Sequence, residues 1–268
     1  DKEYLGKYVK AEYLTKESMD EMQKCFEKDS SVQLRNFLLD KWVPKMEPQK
    51  SIVYDDSYYR SGVSSEWKLT GPAHKQRYLE YEPATTNATD CCPMEGALMH
   101  HVKQKVFESE QMARYLKALT RLEKPTGIRT GKIRRFRPGL DYTVAHYGLL
   151  VEKSVLDATM CFVYDENDDR DAWESGDVGG FECYIEADDD DDNDGGAEGG
   201  NGPADEYNED DDTELLSVSA SNNTLSLVYR DPGTMRFVKY VGSSAPSSRY
   251  DICMEYAVES HDEEEEDF

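Results

Sequence analysis

Residues 224–230 read Thr-Leu-Ser-Leu-Val-Tyr-Arg, and this stretch decides the fold class. Leu225, Leu227 and Tyr229 alternate with Ser226 and Val228, the period of two that gives a strand one buried face. Working outward, similar β-branched and aromatic runs occupy 132–137, 141–146, 155–164, 180–185, 215–220, 235–241 and 249–256, each set off by turn residues. Eight short strands with no helix between them predict a sandwich or barrel.

The half before residue 126 has a different texture. Thr15 and Ser18 can cap an acidic first turn that leads into Met19, Met22, Cys25 and Phe26 at helical spacing. Ser109 opens a second such stretch, with Met112, Tyr115, Leu116, Leu119 and Leu122 on one face and an expected end near Lys124-Pro125. Both apolar faces require a sheet or another helix to cover them. Between them, Tyr- and Pro-punctuated segments predict loops with one or two short strands, such as 76–81. The division expected is a helical layer with irregular support over 1–125, a β core over 126–258 and an acidic tail over 259–268.

Charge is concentrated rather than spread. Of 56 acids against 31 bases in 268 residues, the tract 186–214 holds 15 acids and no base, and 259–268 holds 7 acids and no base. The formal net charge of −25 disfavours a free nucleic-acid binder, since a polyanion would meet like charge from most directions. The longer tract contains Gly195-Gly196 and Gly199-Gly200 and buries too little apolar area to offset chain entropy, so it is expected to be a disordered loop between two strands. No stretch approaches the ~20 apolar residues of a membrane helix, so a soluble protein without a membrane partner is expected. The first residue, Asp1, suggests a fragment of something longer. The six cysteines form no C-x-x-C pair, which favours reduced intracellular thiols over a disulfide scaffold. The sequons at Asn87 and Asn222 carry little weight in that setting.

Several motifs together carry a resemblance. Ile133-Arg134-Arg135-Phe136-Arg137-Pro138-Gly139-Leu140-Asp141-Tyr142-Thr143, Gly179-Gly180-Phe181-Glu182-Cys183-Tyr184-Ile185, Leu225–Asp231, and above all Arg236-Phe237-Val238-Lys239-Tyr240-Val241 with Ser248-Arg249-Tyr250-Asp251-Ile252 resemble the C-terminal domain of the eukaryotic prolyl 3-hydroxylases. These are 2-oxoglutarate and iron(II)-dependent oxygenases acting on a proline of a small-subunit ribosomal protein. The fungal branch includes the termination-and-polyadenylation protein and the oxygen-sensing degradation regulator. The resemblance implies an α+β, mainly β fold: a double-stranded β-helix (jelly-roll, cupin-like) behind an N-terminal helical layer. It further implies that this is the second, non-catalytic of two such domains, serving structure, interaction and regulation of translation. Iron(II), 2-oxoglutarate and ascorbate would then belong to the parent enzyme's catalytic domain, with no cofactor in this one. The implied partners are that catalytic domain and protein partners such as a basic ribosomal protein or a regulated transcription factor, in the nucleus and cytoplasm.

Matched to the catalytic domain, His146-Tyr147-Gly148 falls where His-x-Asp would stand and Val238 where the distal His would stand. Glycine and valine cannot ligate iron, and the facial triad needs three ligands on one face. His261-Asp262-Glu263 lies in the acidic tail with no later histidine, and is read as a solvated coincidence. Arg249 matches the arginine that grips the distal carboxylate of 2-oxoglutarate, or is a structural ion-pair residue opening the last strand. His146 is read as a hydrogen-bonded core or edge-strand histidine, Gly179-Gly180 as a turn or bulge entering a strand, and His100-His101 as surface residues. Lys132, Arg134, Arg135 and Arg137 predict a strand with an exposed basic edge, which either pairs with the chain's own acids or docks an acidic partner segment. The rival functions are an oxygenase domain that still binds 2-oxoglutarate or iron, and an acidic chaperone-like binder of basic proteins.

Overall fold

The computed structural model describes residues 1–49, 56–83, 94–122, 127–164, 171–187 and 214–258. In chain order the elements are α1 (Lys2–Leu5), α2 (Lys16–Asp29), β1 (Ser31–Leu34), α3 (Asp56–Tyr59), β2 (Trp67–Thr70), β3 (Gln76–Tyr81), α4 (Met94–Val102), α5 (Glu110–Thr120), β4 (Gly127–Phe136), β5 (Tyr142–Thr143), β6 (Val155–Phe162), α6 (Asp171–Glu174), β7 (Glu182–Glu186), β8 (Glu214–Val218), β9 (Thr224–Arg230), β10 (Thr234–Val238) and β11 (Arg249–Ala257). Among the described residues no helix is long and apolar enough to cross a membrane.

Two antiparallel sheets face each other. The large one runs β1-β9-β6-β11-β4-β3-β2, with β5 attached to β3, and the small one runs β10-β7-β8. The strands of the second half are thus divided between the sheets, and β5 lies beside β10, where the Val238 N–H donates to the Thr143 hydroxyl at 2.6 Å. This is the jelly-roll of a double-stranded β-helix. All eight runs marked by periodicity contain a strand.

Two boundaries differ from expectation. The sheet does not start at 126, because β1, β2 and β3 from the first half extend the large sheet at both ends. The second long helix ends at Thr120 rather than near Lys124-Pro125, because Arg121 turns left-handed (φ 56°) and caps it. The acidic tract lies outside the described residues except at its ends. There Glu186 and Glu214 belong to β7 and β8 rather than to a loop. The tail from 259, His261-Asp262-Glu263 included, also lies outside them, as do Cys91, Cys92 and the Asn87 sequon.

The centre of the large sheet, β9, β6 and β11, is buried on both faces, and the alternation along each strand sorts two kinds of residue. Leu156, Ala158, Met160 and Phe162 of β6, Leu225 and Leu227 of β9, and Ile252, Met254 and Tyr256 of β11 enter one cluster with Met22 and Phe26 of α2 and Met112, Leu116 and Leu119 of α5. The predicted helix faces therefore cover a sheet, and each such side chain stabilises by roughly 1.5–3 kcal/mol. The intervening positions, Arg134, Asp157, Thr159, Arg230, Arg249, Asp251 and Cys253, point the other way, into the space between the sheets, and are buried too. Thr15 and Ser109 cap α2 and α5 as expected, accepting from the N–H of Ser18 and Met112. The four described cysteines, Cys25, Cys161, Cys183 and Cys253, are free thiols.

Candidate functional site

A cavity of about 200 Å³ opens between the two sheets, and its walls include His146, Val238, Lys132, Arg134, Arg230, Arg236, Glu182 and Cys253. Two of the positions matched to the metal triad, His146 and Val238, line this one space. The third stands beside them: a Cβ on Gly148 would lie 3.0 Å from His146 Nδ1. Gly148 itself is exposed, in the turn Tyr147–Leu149 and not on a strand.

The donor set does not suit iron. His146 offers one imidazole, Gly148 no side chain and Val238 an isopropyl group. Among the described residues no group of three or more His, Cys, Asp or Glu is arranged to hold a metal ion. His146 is half-buried, and its Nδ1 makes no hydrogen bond within the protein, unlike the hydrogen-bonded core or edge-strand histidine expected. Burial first, then the neighbouring Lys75 and His74, push its pKa below the usual histidine value.

The space between the sheets is instead filled with paired charge. Arg236 on β10 donates to Glu182 from Nε (2.7 Å), to Thr159 and Cys253 from Nη2 (3.0 and 2.9 Å), and lies 2.8 Å from Asp157 through Nη1. Arg230 grips Asp157 at 2.8 Å and reaches Glu255 at 3.0 Å. Arg134 holds Asp251 with two bonds, 2.8 and 3.0 Å. Arg249 Nη2 also reaches Asp251, at 3.2 Å, while its guanidinium lies 5.6 Å over the Phe136 ring, beside the Cys161 thiol. Its Nε and Nη1 make no hydrogen bond. Arg249 thus makes an ion pair with Asp251 at the start of the last strand. Trp173 belongs to the same buried cluster as Val238 and Phe136 and sits against Gly180, so the interior beside Arg249 is packed.

The exposed basic edge is a correction. Where it carries Arg134 and Arg135, the strand β4 is flanked by β3 on one side and β11 on the other. Arg134 and Arg137 are 8% and 2% exposed. Arg137 clamps the turn that follows β4, donating to Asp141 from Nε and Nη2 (2.7 and 2.9 Å) and to the carbonyls of Tyr59 and Ser61 from Nη1. Arg135 lies over the Tyr250 ring and donates to Ser248 Oγ, and the half-buried Lys132 lies 3.5 Å from Glu80 and donates to the Tyr78 hydroxyl at 3.4 Å. Arg134, Arg137 and Lys132 thus meet the chain's own acids, and Arg135 meets a ring and a hydroxyl. His101 stacks on Trp42 at 5.0 Å, and Gly179, bridged to Val241 with φ 68°, forms the expected turn into β7.

Sequence reasoning missed the partners Asp157, Glu182, Arg230, Arg236, Asp251 and Glu255. The available signal was charge inside apolar strand runs, which a solvated face would not require. Within the network, burial raises the Glu182 carboxyl, but Arg236, Arg249 and Arg134 outweigh it and hold the group down at about 2. A carboxyl depressed on folding contributes stability that is full above its unfolded value, near 4.5, and is lost as pH falls toward 2. Urea midpoints measured between about pH 6 and 3 should therefore fall with acidification, and Glu182→Gln should flatten that slope while lowering stability at neutral pH. An unchanged slope would mean that Glu182 is not held ionised by these arginines.

The jelly-roll, with a histidine at its mouth and an arginine opening its last strand, defines the class: a domain of the 2-oxoglutarate oxygenase fold. The chain belongs to the family described as oxoglutarate and iron-dependent oxygenase degradation C-term, whose model matches residues 1–264. It is 36% identical over 262 residues to "Prolyl 3,4-dihydroxylase OGFOD1" of Ostreococcus tauri, covering 94% of this chain and 48% of that protein. It is 26% identical over 249 residues to "Prolyl 3-hydroxylase sudestada1" of Drosophila melanogaster, covering 90% and 40%. The chain thus spans about half the length of the curated relatives it matches. Among solved structures, a prolyl hydroxylase from Trichoplax adhaerens in complex with a hypoxia inducible factor peptide has a TM-score of 0.44 at 11% identity, covering 89% of this chain and 88% of that one. A Pseudomonas putida prolyl-4-hydroxylase has the same score at 10% identity, covering 90% and 100%.

Proposed function

We propose that this domain is the non-catalytic C-terminal half of a prolyl 3-hydroxylase and acts as its structural and protein-interaction module. The observation that carries this reading is the exchange of chemistry within one cavity. Val238 lines it and Gly148 adjoins its His146, neither side chain offering a donor where the resemblance would put a ligand, and the interior holds an arginine–carboxylate lattice. In the parent protein, iron(II), 2-oxoglutarate and ascorbate serve the other half, which hydroxylates a proline of a small-subunit ribosomal protein. This half packs on it and engages a regulated protein partner in the nucleus and cytoplasm. The relatives' prolyl hydroxylase names and the family match support the parent activity.

Anaerobic calorimetric titration of this chain with iron(II), or with manganese(II) as surrogate, is expected to give no stoichiometric site. A micromolar site abolished by His146→Ala would overturn the reading. The unbonded Nε and Nη1 of Arg249 favour one second reading, a retained carboxylate site at that residue. A melting temperature raised by 2-oxoglutarate in this chain, and not in Arg249→Met, would establish it.

A further inference from the structure

The large sheet has a notch beside the first half of β4. β3 pairs with β4 only at Arg134 and Arg135 and ends at Tyr81, since Pro83, two residues on, has no N–H with which to extend a ladder. Residues 127–132 pair with β11 on one side, and among the described residues no strand lies on the other. Gly127, Ile128, Arg129 and Thr130 are all exposed, on both faces of the strand. Alternate residues of this stretch therefore turn their backbone N–H and C=O groups to water, a template for one further extended backbone.

A hollow flanks this edge on each face. Ile128, 42% exposed, and Tyr256 opposite it line a hollow of about 300 Å³ together with Phe107 and Ala113. Thr130 and Lys132 line the cavity between the sheets. A β-bulge separates the two directions: Tyr256 stands opposite Ile128 and Glu255 opposite Thr130, which leaves Arg129 as the extra residue. An added strand would send successive side chains toward one hollow and then the other.

Charge narrows the occupant. Among the described residues the Arg129 guanidinium meets no carboxylate. The acids around it are committed: Glu255 to Arg230 at 3.0 Å, Glu108 to Lys103 at 2.5 Å, Asp1 and Glu110 to Arg114 at 2.8 and 3.4 Å, and Glu80 to Lys132 at 3.5 Å. A second copy is opposed, because pairing two such edges would bring Arg129 against Arg129 on chains that each carry −25. The tail that follows β11, residues 259–268, has seven acids in ten residues, a composition disfavoured in strands.

We infer that residues 127–132 accept an extended segment of a partner protein as an added strand, with β-branched or apolar side chains on the Ile128 side and a carboxylate beside Arg129. Main-chain bonds then supply affinity, and the two hollows and Arg129 supply selection. The inference rests on the interaction-module reading and gives it a docking site.

The test is fluorescence anisotropy on the full chain, with a short labelled peptide of valines and threonines around one glutamate as probe. The same peptide N-methylated at alternate amides, which removes its donors, is expected to bind at least about tenfold more weakly. Arg129→Glu is expected to weaken the probe about fivefold and to favour its lysine counterpart, and Ile128→Lys to weaken it about threefold. Leu69→Lys on β2 and Leu215→Lys on β8, exposed positions on strands that end the two sheets, are expected to leave binding within about twofold. Amide hydrogen exchange over 127–132 is expected to be fast in the chain alone and slowed by the probe. Melting temperatures of all variants establish that they are folded. Undetectable binding, equal binding of the N-methylated peptide, equal loss from the β2 or β8 variant, or slow exchange before the probe is added would each overturn the inference, the last because the chain would then cover this edge itself. An iron(II) site found by calorimetry would sink the non-catalytic reading and leave the peptide result standing, so the two failures are distinguishable.

Discussion

Asp251→Ala is expected to lower folding stability by about 3–5 kcal/mol, because it leaves two buried guanidinium groups without their carboxylate. Asp251 is wholly buried on β11, accepts two bonds from Arg134 and meets Arg249 at 3.2 Å. Burying a charge is costly, and the cost is offset only while the partner remains. Removing the arginine as well therefore restores part of the loss: Arg134→Met/Asp251→Leu should recover at least about 1 kcal/mol relative to Asp251→Ala. Urea denaturation of the single and double variants measures both quantities. A loss under about 1 kcal/mol for Asp251→Ala would show that water reaches the network and screens it.

Gly179→Ala is the second large effect. Gly179 has a left-handed φ of 68°, and an added Cβ would sit 2.0 Å from the Tyr240 carbonyl oxygen, a backbone atom that cannot rotate away. The residue is bridged to Val241, and the next one, Gly180, donates its N–H to that same Tyr240 carbonyl at 3.2 Å. Relief requires separating the entry of β7 from the segment after β10. Left-handed strain and overpacking together predict a loss of at least about 3 kcal/mol. Gly233→Ala serves as the control, since φ there is 86° but nothing lies within 4 Å of the added atom. It carries the conformational cost alone, about 1 kcal/mol. Equal midpoint shifts for the two variants would show that the strand entry moves freely.

The strands of the second half were legible because each carries its own periodicity. Leu225, Leu227 and Tyr229 announce β9 without reference to any other segment, and Met112, Leu116 and Leu119 announce α5 in the same way. Strands β1 and β2, four residues each, are too short to show a period and exist because β9 and β3 offer them an edge. That Gly148 and Val238 cannot bind a metal was readable from residue identity, since glycine and valine side chains lack donor atoms wherever they lie. That Val238 and His146 line one cavity came from the pairing of β7 with β10 and the placing of β5 alongside.

Lys132-Ile133-Arg134-Arg135-Phe136-Arg137 marks the limit of the sequence. Alternation fixes that Arg134 and Ile133 face opposite ways, but an isolated strand does not say which face meets water. Only the flanking of β4 by β3 and β11, with Asp251 opposite Arg134 in register, turned an apparent surface into an interior. Long-range pairing supplied the buried carboxylates that make a buried arginine tolerable, and that pairing joins residues 117 positions apart.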